Sequence, residues 1–143
     1  MNKFICKEYN SLTKDELYAI LKIRQEVFIL EQKCCYLDAD SLDHCSQHLM
    51  LMENNIIIAY LRVIPKYKLY DEISFGRILV KNSHRKNGLG KDIVNHAINL
   101  YANKNIIISA QLYLKRFYEE FGFCAFGDEF LEDEIPHIKM LKS

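Results

Sequence analysis

The residues best suited to chemistry lie in one basic, glycine-punctuated stretch, Arg85-Lys86-Asn87-Gly88-Leu89-Gly90, followed by Lys91. It follows a run that reads as a strand, Ser74–Val80, and opens a run with helical spacing, Gly90–Tyr101. Such a turn suits an anion. The first N–H groups of a helix have no intrahelical acceptor, and the helix dipole adds partial positive charge. Gly88 and Gly90 let the backbone approach a ligand with no Cβ in the way. Two phosphate loops are excluded by residue type. A Walker A loop needs a glycine where Arg85 stands and a hydroxyl where Asp92 stands. A dinucleotide fingerprint needs a third glycine where Ile93 stands. What remains is Arg-x-x-Gly-x-Gly after a strand, open between an anion loop and an ordinary left-handed turn.

A second group of reactive side chains is Cys34, Cys35, His44, Cys45 and His48. The adjacent pairs Cys34-Cys35 and His44-Cys45 would strain one tetrahedral shell, and there is no Cys-x-x-Cys, so no metal is expected. Asp38, Asp40 and Asp43 resemble a run of oxygen ligands. An EF-hand is rejected, because the glycine and glutamate it requires are replaced by Asp43 and Leu49.

The elements that must position these residues follow from apolar spacing. Thr13 and Glu16 form a capping box ahead of Leu17, Ile20, Leu21 and Phe28, so a helix is expected to about Leu30. Glu31–Gln47 reads as loop or irregular helix. His48–Glu53 and Ile56–Ile64 read as strands joined through Asn54-Asn55, which tolerate positive φ. Lys66–Asp71 reads as loop and Ile106–Ala110 as a short buried strand. Leu112–Phe121 reads as a helix ended by Gly122, and Phe123–Phe130 and Ile138–Leu141 as closing strands. The order implies an α/β (α+β) fold, a mixed central β-sheet with helices on both faces.

With 143 residues, half of them apolar, a single domain spanning 1–143 is expected. Lys+Arg and Asp+Glu balance at 19 each, which argues against a nonspecific grip on nucleic acid or an anionic membrane. No apolar run is long enough to span a bilayer, and Met1–Cys6 lacks a signal-peptide core. Five cysteines without an export signal read as reduced thiols in a cytoplasmic protein.

The Arg85–Gly90 pattern resembles the pyrophosphate loop of the GNAT N-acetyltransferase family. Three further segments carry the same resemblance. Phe117-Tyr118-Glu119-Glu120-Phe121-Gly122-Phe123 is similar to the family's Phe-Tyr-x-x-x-Gly-Phe. Ile135-Pro136-His137 and Arg24-x-x-Val27-Phe28-x-x-Glu31-Gln32 are similar to signatures of the ElaA-like subgroup. The resemblance spans about Leu17 to Met140. Glu134 replaces the subgroup's usual glycine, and Gln111 stands where the wider family often has Asn.

The resemblance implies a single-domain acyl-CoA N-acyltransferase fold and transfer of acetyl from acetyl-CoA to a primary amine in a ternary complex. The acceptor would be a small molecule rather than a peptide, with no metal, and the protein a monomer or homodimer. Ile78, Leu79 and Val80 would offer backbone groups to the pantetheine arm, with an N–H near Leu79 on the thioester oxygen. Arg85, Lys86, Asn87, Gly88, Leu89, Gly90 and Lys91 would hold the pyrophosphate, and Gln111 a CoA oxygen. Tyr118 would protonate or orient the leaving thiolate; otherwise it is a packing aromatic. Candidates for the base are His137 and Glu31, with Asp71, Glu72 and His48 also open; no dedicated base is obligatory. Arg24 and Arg77 would either meet a carboxylate of the acceptor or be paired within the protein. Two alternatives stay open: a noncatalytic acyl-CoA-binding regulatory module, and an acyltransferase with a longer acyl donor.

Overall fold

In the computed structural model, which describes residues 2–143, seven strands form one sheet. They are β1 (Asn2–Glu8), β2 (Gln47–Glu53), β3 (Ile56–Ile64), β4 (Ile73–Val80), β5 (Ile106–Gln111), β6 (Cys124–Glu132) and β7 (Ile135–Lys142). The strand order is β1-β2-β3-β4-β5-β7-β6. Every pairing is antiparallel except β4 with β5. The helices are α1 (Lys14–Arg24), α2 (Leu89–Leu100) and α3 (Lys115–Glu119).

Two apolar cores lie on opposite faces of the sheet. Ile20, Ile23 and Val27 pack against Met50, Tyr60 and Leu79 on one face. Ile93, Val94 and Ala97 pack with Leu49, Leu61, Phe75, Ile108 and Tyr118 on the other. The mixed sheet with helices on both faces is the expected architecture. The capping box is present, with Glu16 N–H donating to Thr13 Oγ1 at 3.0 Å and Thr13 N–H to Glu16 Oε1 at 2.8 Å. Asn54 and Asn55 take φ of +50° and +65° and close the β2–β3 hairpin as expected.

Four elements differ from expectation. β1 was not expected: its mixed sequence, Asn-Lys-Phe-Ile-Cys-Lys-Glu, is a half-exposed edge with no clean alternation. It pairs along β2, and Phe4 stacks on His96 of α2 at 4.0 Å between ring centres. The first helix is α-helical only to Arg24 and continues as a π-helical segment, Gln25–Glu31. Leu112–Phe121 divides into a 3-10 turn, Leu112–Leu114, and the short α3. The last strand begins at Ile135, three residues early, because Asp133 and Glu134 turn the β6–β7 hairpin with φ of +51° and +65°. Glu134, in the subgroup's usual glycine position, thus holds a conformation that glycine adopts without steric cost.

Candidate active site

β4 and β5 pair only over Ile73–Phe75 and Ile106–Ile108 and then separate. β4 stays on β3 to Val80, while β5 stays on β7 to Gln111. The facing edges of Gly76–Val80 and Ser109–Gln111 are therefore unpaired, and a wedge opens between them. A bulge in β4 helps aim this wedge. Tyr60 pairs with Leu79 and Arg62 with Gly76, so Arg77 and Ile78 together oppose Leu61. Arg77 takes φ of +51° in that bulge. The wedge is part of a cleft of about 1050 Å³.

Beyond β4, Gly88 sits at the α2 N-cap with φ of +77° and caps with no side chain. The first intrahelical bond runs from Asp92 N–H to the Gly88 carbonyl, so the amides of Leu89, Gly90 and Lys91 precede the ladder. A Cβ added at Gly90 would meet only Phe117 Cζ at 3.7 Å and Val80 Cγ2 at 3.8 Å, which is ordinary contact. Packing therefore does not require glycine there, and Gly90 lines the cleft. The cradle fits an anion: free amides, glycine where a ligand approaches, and Arg85 and Lys86 beside them.

Most of the expected site residues come together. Ile78, Leu79, Val80, Arg85, Lys86, Gly90, Gln111, Tyr118, His137, Glu31 and Arg77 all line the one cleft. Asn87, Gly88, Leu89 and Lys91 lie in the adjoining turn and helix start, and Lys91 is 3.5 Å from Glu120. Tyr118 is 7% exposed, packed edge-on against Phe117 and Phe123. Burial pushes its phenol well above the ordinary value. His137 Nδ1–H donates to the Ile135 carbonyl at 2.6 Å, and its Nε2 lies 3.4 Å from Glu132 Oε2. Gln111 donates to Gln32 Oε1 at 3.3 Å. Arg85 Nε donates to the Val80 carbonyl at 3.0 Å, and its Nη2 pairs with Glu31.

Arg24 corrects one expectation. It is fully buried, and it is spent on Asp38 at 2.8 Å and Asp43 at 2.7 Å, so it meets no acceptor. Arg77 lines the cleft but also binds Asp38 at 2.9 Å and Asp40 at 3.3 Å. Arg62, which carried no sequence signal, completes the set through Asp40 at 2.7 Å and Asp43 at 2.9 Å. The aspartate run is thus the counter-charge of three arginines from α1, β3 and β4. It pins the loop after Glu31 over the sheet. Burial alone would raise the Asp40 carboxyl, but Arg62 and Arg77 hold it down to about 2. His48 is buried, between the Tyr60 hydroxyl at 2.6 Å and the Asp43 carbonyl at 3.0 Å, and burial lowers its pKa. It is a structural histidine, away from the cleft. Asp71 and Glu72 do not line the cleft either. Among the described residues, no group of His, Cys, Asp and Glu is arranged to hold a metal ion.

Two buried side-chain polar atoms lack a partner among the described residues, Arg62 Nε and Ser109 Oγ. Both residues line this cleft.

Fold and cleft define an acyl-CoA N-acyltransferase architecture. Residues 20–143 match the family described as "Acetyltransferase (GNAT) domain", and the chain belongs to that family. "UPF0039 protein C11D3.02c" of Schizosaccharomyces pombe is 37% identical over 96% of this chain and 95% of its own length. Among solved structures, an acyl-CoA N-acyltransferase from Pseudomonas aeruginosa superposes with a TM-score of 0.94 at 35% identity, and Escherichia coli ElaA with 0.93 at 28%. Both cover all of each chain.

Proposed function

We propose that the protein is a single-domain, acetyl-CoA-dependent N-acetyltransferase that acts on a primary amine of a small molecule in a ternary complex. One observation carries the reading: the open edge of β4 runs directly into the free amides at the start of α2, within one cleft. An extended amide-bearing arm ending in a pyrophosphate needs both, in that order.

Acetyl-CoA, when bound, supplies an activated acetyl thioester. Ile78–Val80 would hold the arm by backbone hydrogen bonds, and an N–H near Leu79 would polarise the thioester oxygen. Arg85, Lys86 and the amides of Gly88–Lys91 would hold the pyrophosphate, and Gln111 would donate to a further oxygen of the arm. Arg85 must first leave Glu31, whose carboxylate occupies the guanidinium that an arriving phosphate would take. In this reading Glu31 serves as the counter-ion of the anion site and His137 as the base. His137 Nε2 would take the proton of the acceptor's ammonium, and the neutral nitrogen would attack the acetyl carbon. The carbon–sulfur bond breaks, and Tyr118, kept protonated by burial, would give its proton to the departing sulfur and take the second proton of the acceptor nitrogen in exchange. Arg77 shapes the acceptor wall through its bulge and its aspartates.

No described helix is long and apolar enough to cross a membrane. With zero formal net charge, this fits a cytoplasmic enzyme with no nucleic-acid partner, a monomer or homodimer. Tyr118 beside the cofactor cleft favours an enzyme over a noncatalytic CoA sensor.

The test is Gly90→Ala. Gly90 has no left-handed φ and only ordinary contacts around an added Cβ. The variant should fold with an unchanged or slightly higher melting temperature, since alanine is the better helix former. Its affinity for acetyl-CoA should fall about tenfold or more, which is about 1.4 kcal/mol. Unchanged affinity in the folded variant would remove Gly90 from the cofactor site.

A further inference from the structure

Gly76 is a glycine that neither backbone nor packing requires. It stands inside β4, where glycine weakens a strand, and its φ lies outside the left-handed region. The adjoining bulge does not need it either, since Arg77 takes the positive φ there. A Cβ added at Gly76 would meet nothing within 4 Å. The space it would enter belongs to the cleft, which Gly76 lines. A strand glycine so placed marks close approach by a ligand.

The sheet register names the side chains around this space. Gly76 pairs with Arg62 of β3, so the two share a face. Phe75 and Ile108 are the last pair of the β4–β5 seam, so Ser109 comes next to Gly76 where the wedge opens. Phe75, Ile108 and Ala110 pack with α2, which turns Gly76 and Ser109 to the α1 face. Arg62, Gly76 and Ser109 thus form one row. Neighbouring strands lie about 4.8 Å apart, so the arginine and the serine flank a floor without a side chain. Each carries a donor with no partner among the described residues, Arg62 Nε and Ser109 Oγ. Arg62 is 2% exposed, and its Nη1 and Nη2 are tied to Asp40 and Asp43 at 2.7 to 2.9 Å. Those bonds fix the guanidinium and leave Nε–H unused. The Ser109 hydroxyl rotates to suit a partner. His137, the base, pairs with Gln111, so it shares the Ser109 face at a diagonal of about 7 to 8 Å.

Donors on both sides of an open floor suit an oxygen rather than a cation. The surrounding set of Arg24, Arg62 and Arg77 with Asp38, Asp40 and Asp43 is charge-balanced, so it repels neither a carboxylate nor a neutral carbonyl. We propose that the acceptor amine carries a carboxylate or amide oxygen on a short spacer, bound over Gly76 between Ser109 Oγ and Arg62 Nε. The oxygen holds the amine toward His137 and the thioester. Gly76 is then a specificity-determining residue, because any side chain there would fill the subsite, and Ser109 is a positioning residue. The inference rests on the acetyl-transfer reading and names the chemistry of its acceptor.

The experiment uses the intact protein with saturating acetyl-CoA, and thiol release as the readout. The probes are β-alanine, β-alaninamide and propylamine, compared at equal concentrations of free amine. They share a chain length and differ in the oxygen. At least one oxygen-bearing amine should exceed propylamine in kcat/KM by about tenfold or more, and which one leads distinguishes a carboxylate from a neutral oxygen. Ser109→Ala should cut that advantage to about threefold or less and leave the acetyl-CoA Kd unchanged by calorimetry. Gly76→Ala should melt no lower than the parent protein, keep its acetyl-CoA Kd, and raise KM for the oxygen-bearing amine about tenfold or more. Oxygen-bearing amines no better than propylamine, including no turnover of any probe, would overturn the inference. So would an unchanged advantage in Ser109→Ala, or a Gly76→Ala variant that loses acetyl-CoA affinity instead of amine affinity. Each of these leaves acetyl-CoA binding by the parent protein intact, whereas its absence would overturn the acetyltransferase reading as well. The two variants probe one subsite from two strands, so either one that folds decides.

Discussion

Tyr118 illustrates how one residue supports two readings that need not compete. Its ring packs between Phe117 and Phe123 in the core under the sheet, while the residue also lines the cleft. Burial holds the phenol protonated far into the alkaline range, so the proton is present whenever a thiolate leaves. Tyr118→Phe keeps the ring and removes only that proton. The account predicts roughly a hundredfold loss of turnover with acetyl-CoA affinity nearly unchanged. Turnover equal to the parent protein would leave Tyr118 a packing residue. Arg24 teaches the opposite lesson. Its position on the apolar face of α1 was visible in the sequence, and the two outcomes for it were substrate contact or internal pairing. Only the folded chain decides, because its partners Asp38 and Asp43 lie 14 and 19 residues away in a loop with no periodic signal.

At the scale of elements, the strand–loop–helix unit from Ile73 to Leu100 was legible because each part has a local cause. Apolar residues make the strand, glycine at positive φ makes the turn, and apolar spacing makes the helix. The bulge at Arg77 was not legible. An arginine at φ of +51° inside a strand is held by Asp38 and Asp40 of the loop after Glu31, not by anything local in its sequence. The π-helical segment and β1 were missed for a similar reason, since tertiary pairing rather than propensity holds them. The aspartate loop has a pH signature. Burial opposes the charge on Asp40, but Arg62 and Arg77 win and hold its carboxyl at about 2, below the unfolded value near 3.9. The stability it contributes is therefore complete above about pH 4 and is lost as pH falls toward 2. Thermal melts of Asp40→Asn and the parent protein should differ most near pH 6 and converge toward pH 2. A difference that stayed constant over that range would show that the ion pairs contribute nothing through charge.

The whole molecule is a sheet divided between two jobs. β1–β4 and β5–β7 are hydrogen-bonded to each other only along a short parallel seam, Ile73–Phe75 with Ile106–Ile108. Where the seam ends, backbone edges, free helix amides and the orphaned polar groups of Arg62 and Ser109 meet in one space. The family and the mixed-sheet architecture could be read from spaced motifs before any contact was known. The arginine–aspartate set could not, because Arg24, Arg62 and Arg77 meet Asp38, Asp40 and Asp43 only when the loop after Glu31 folds over the sheet. The central claim concerns that wedge and its adjoining loop, and calorimetric titration of the folded protein with acetyl-CoA, with ATP as the control, tests it most directly. The account predicts saturable one-to-one binding of acetyl-CoA and none of ATP. No heat from acetyl-CoA in a protein shown to be folded would contradict it.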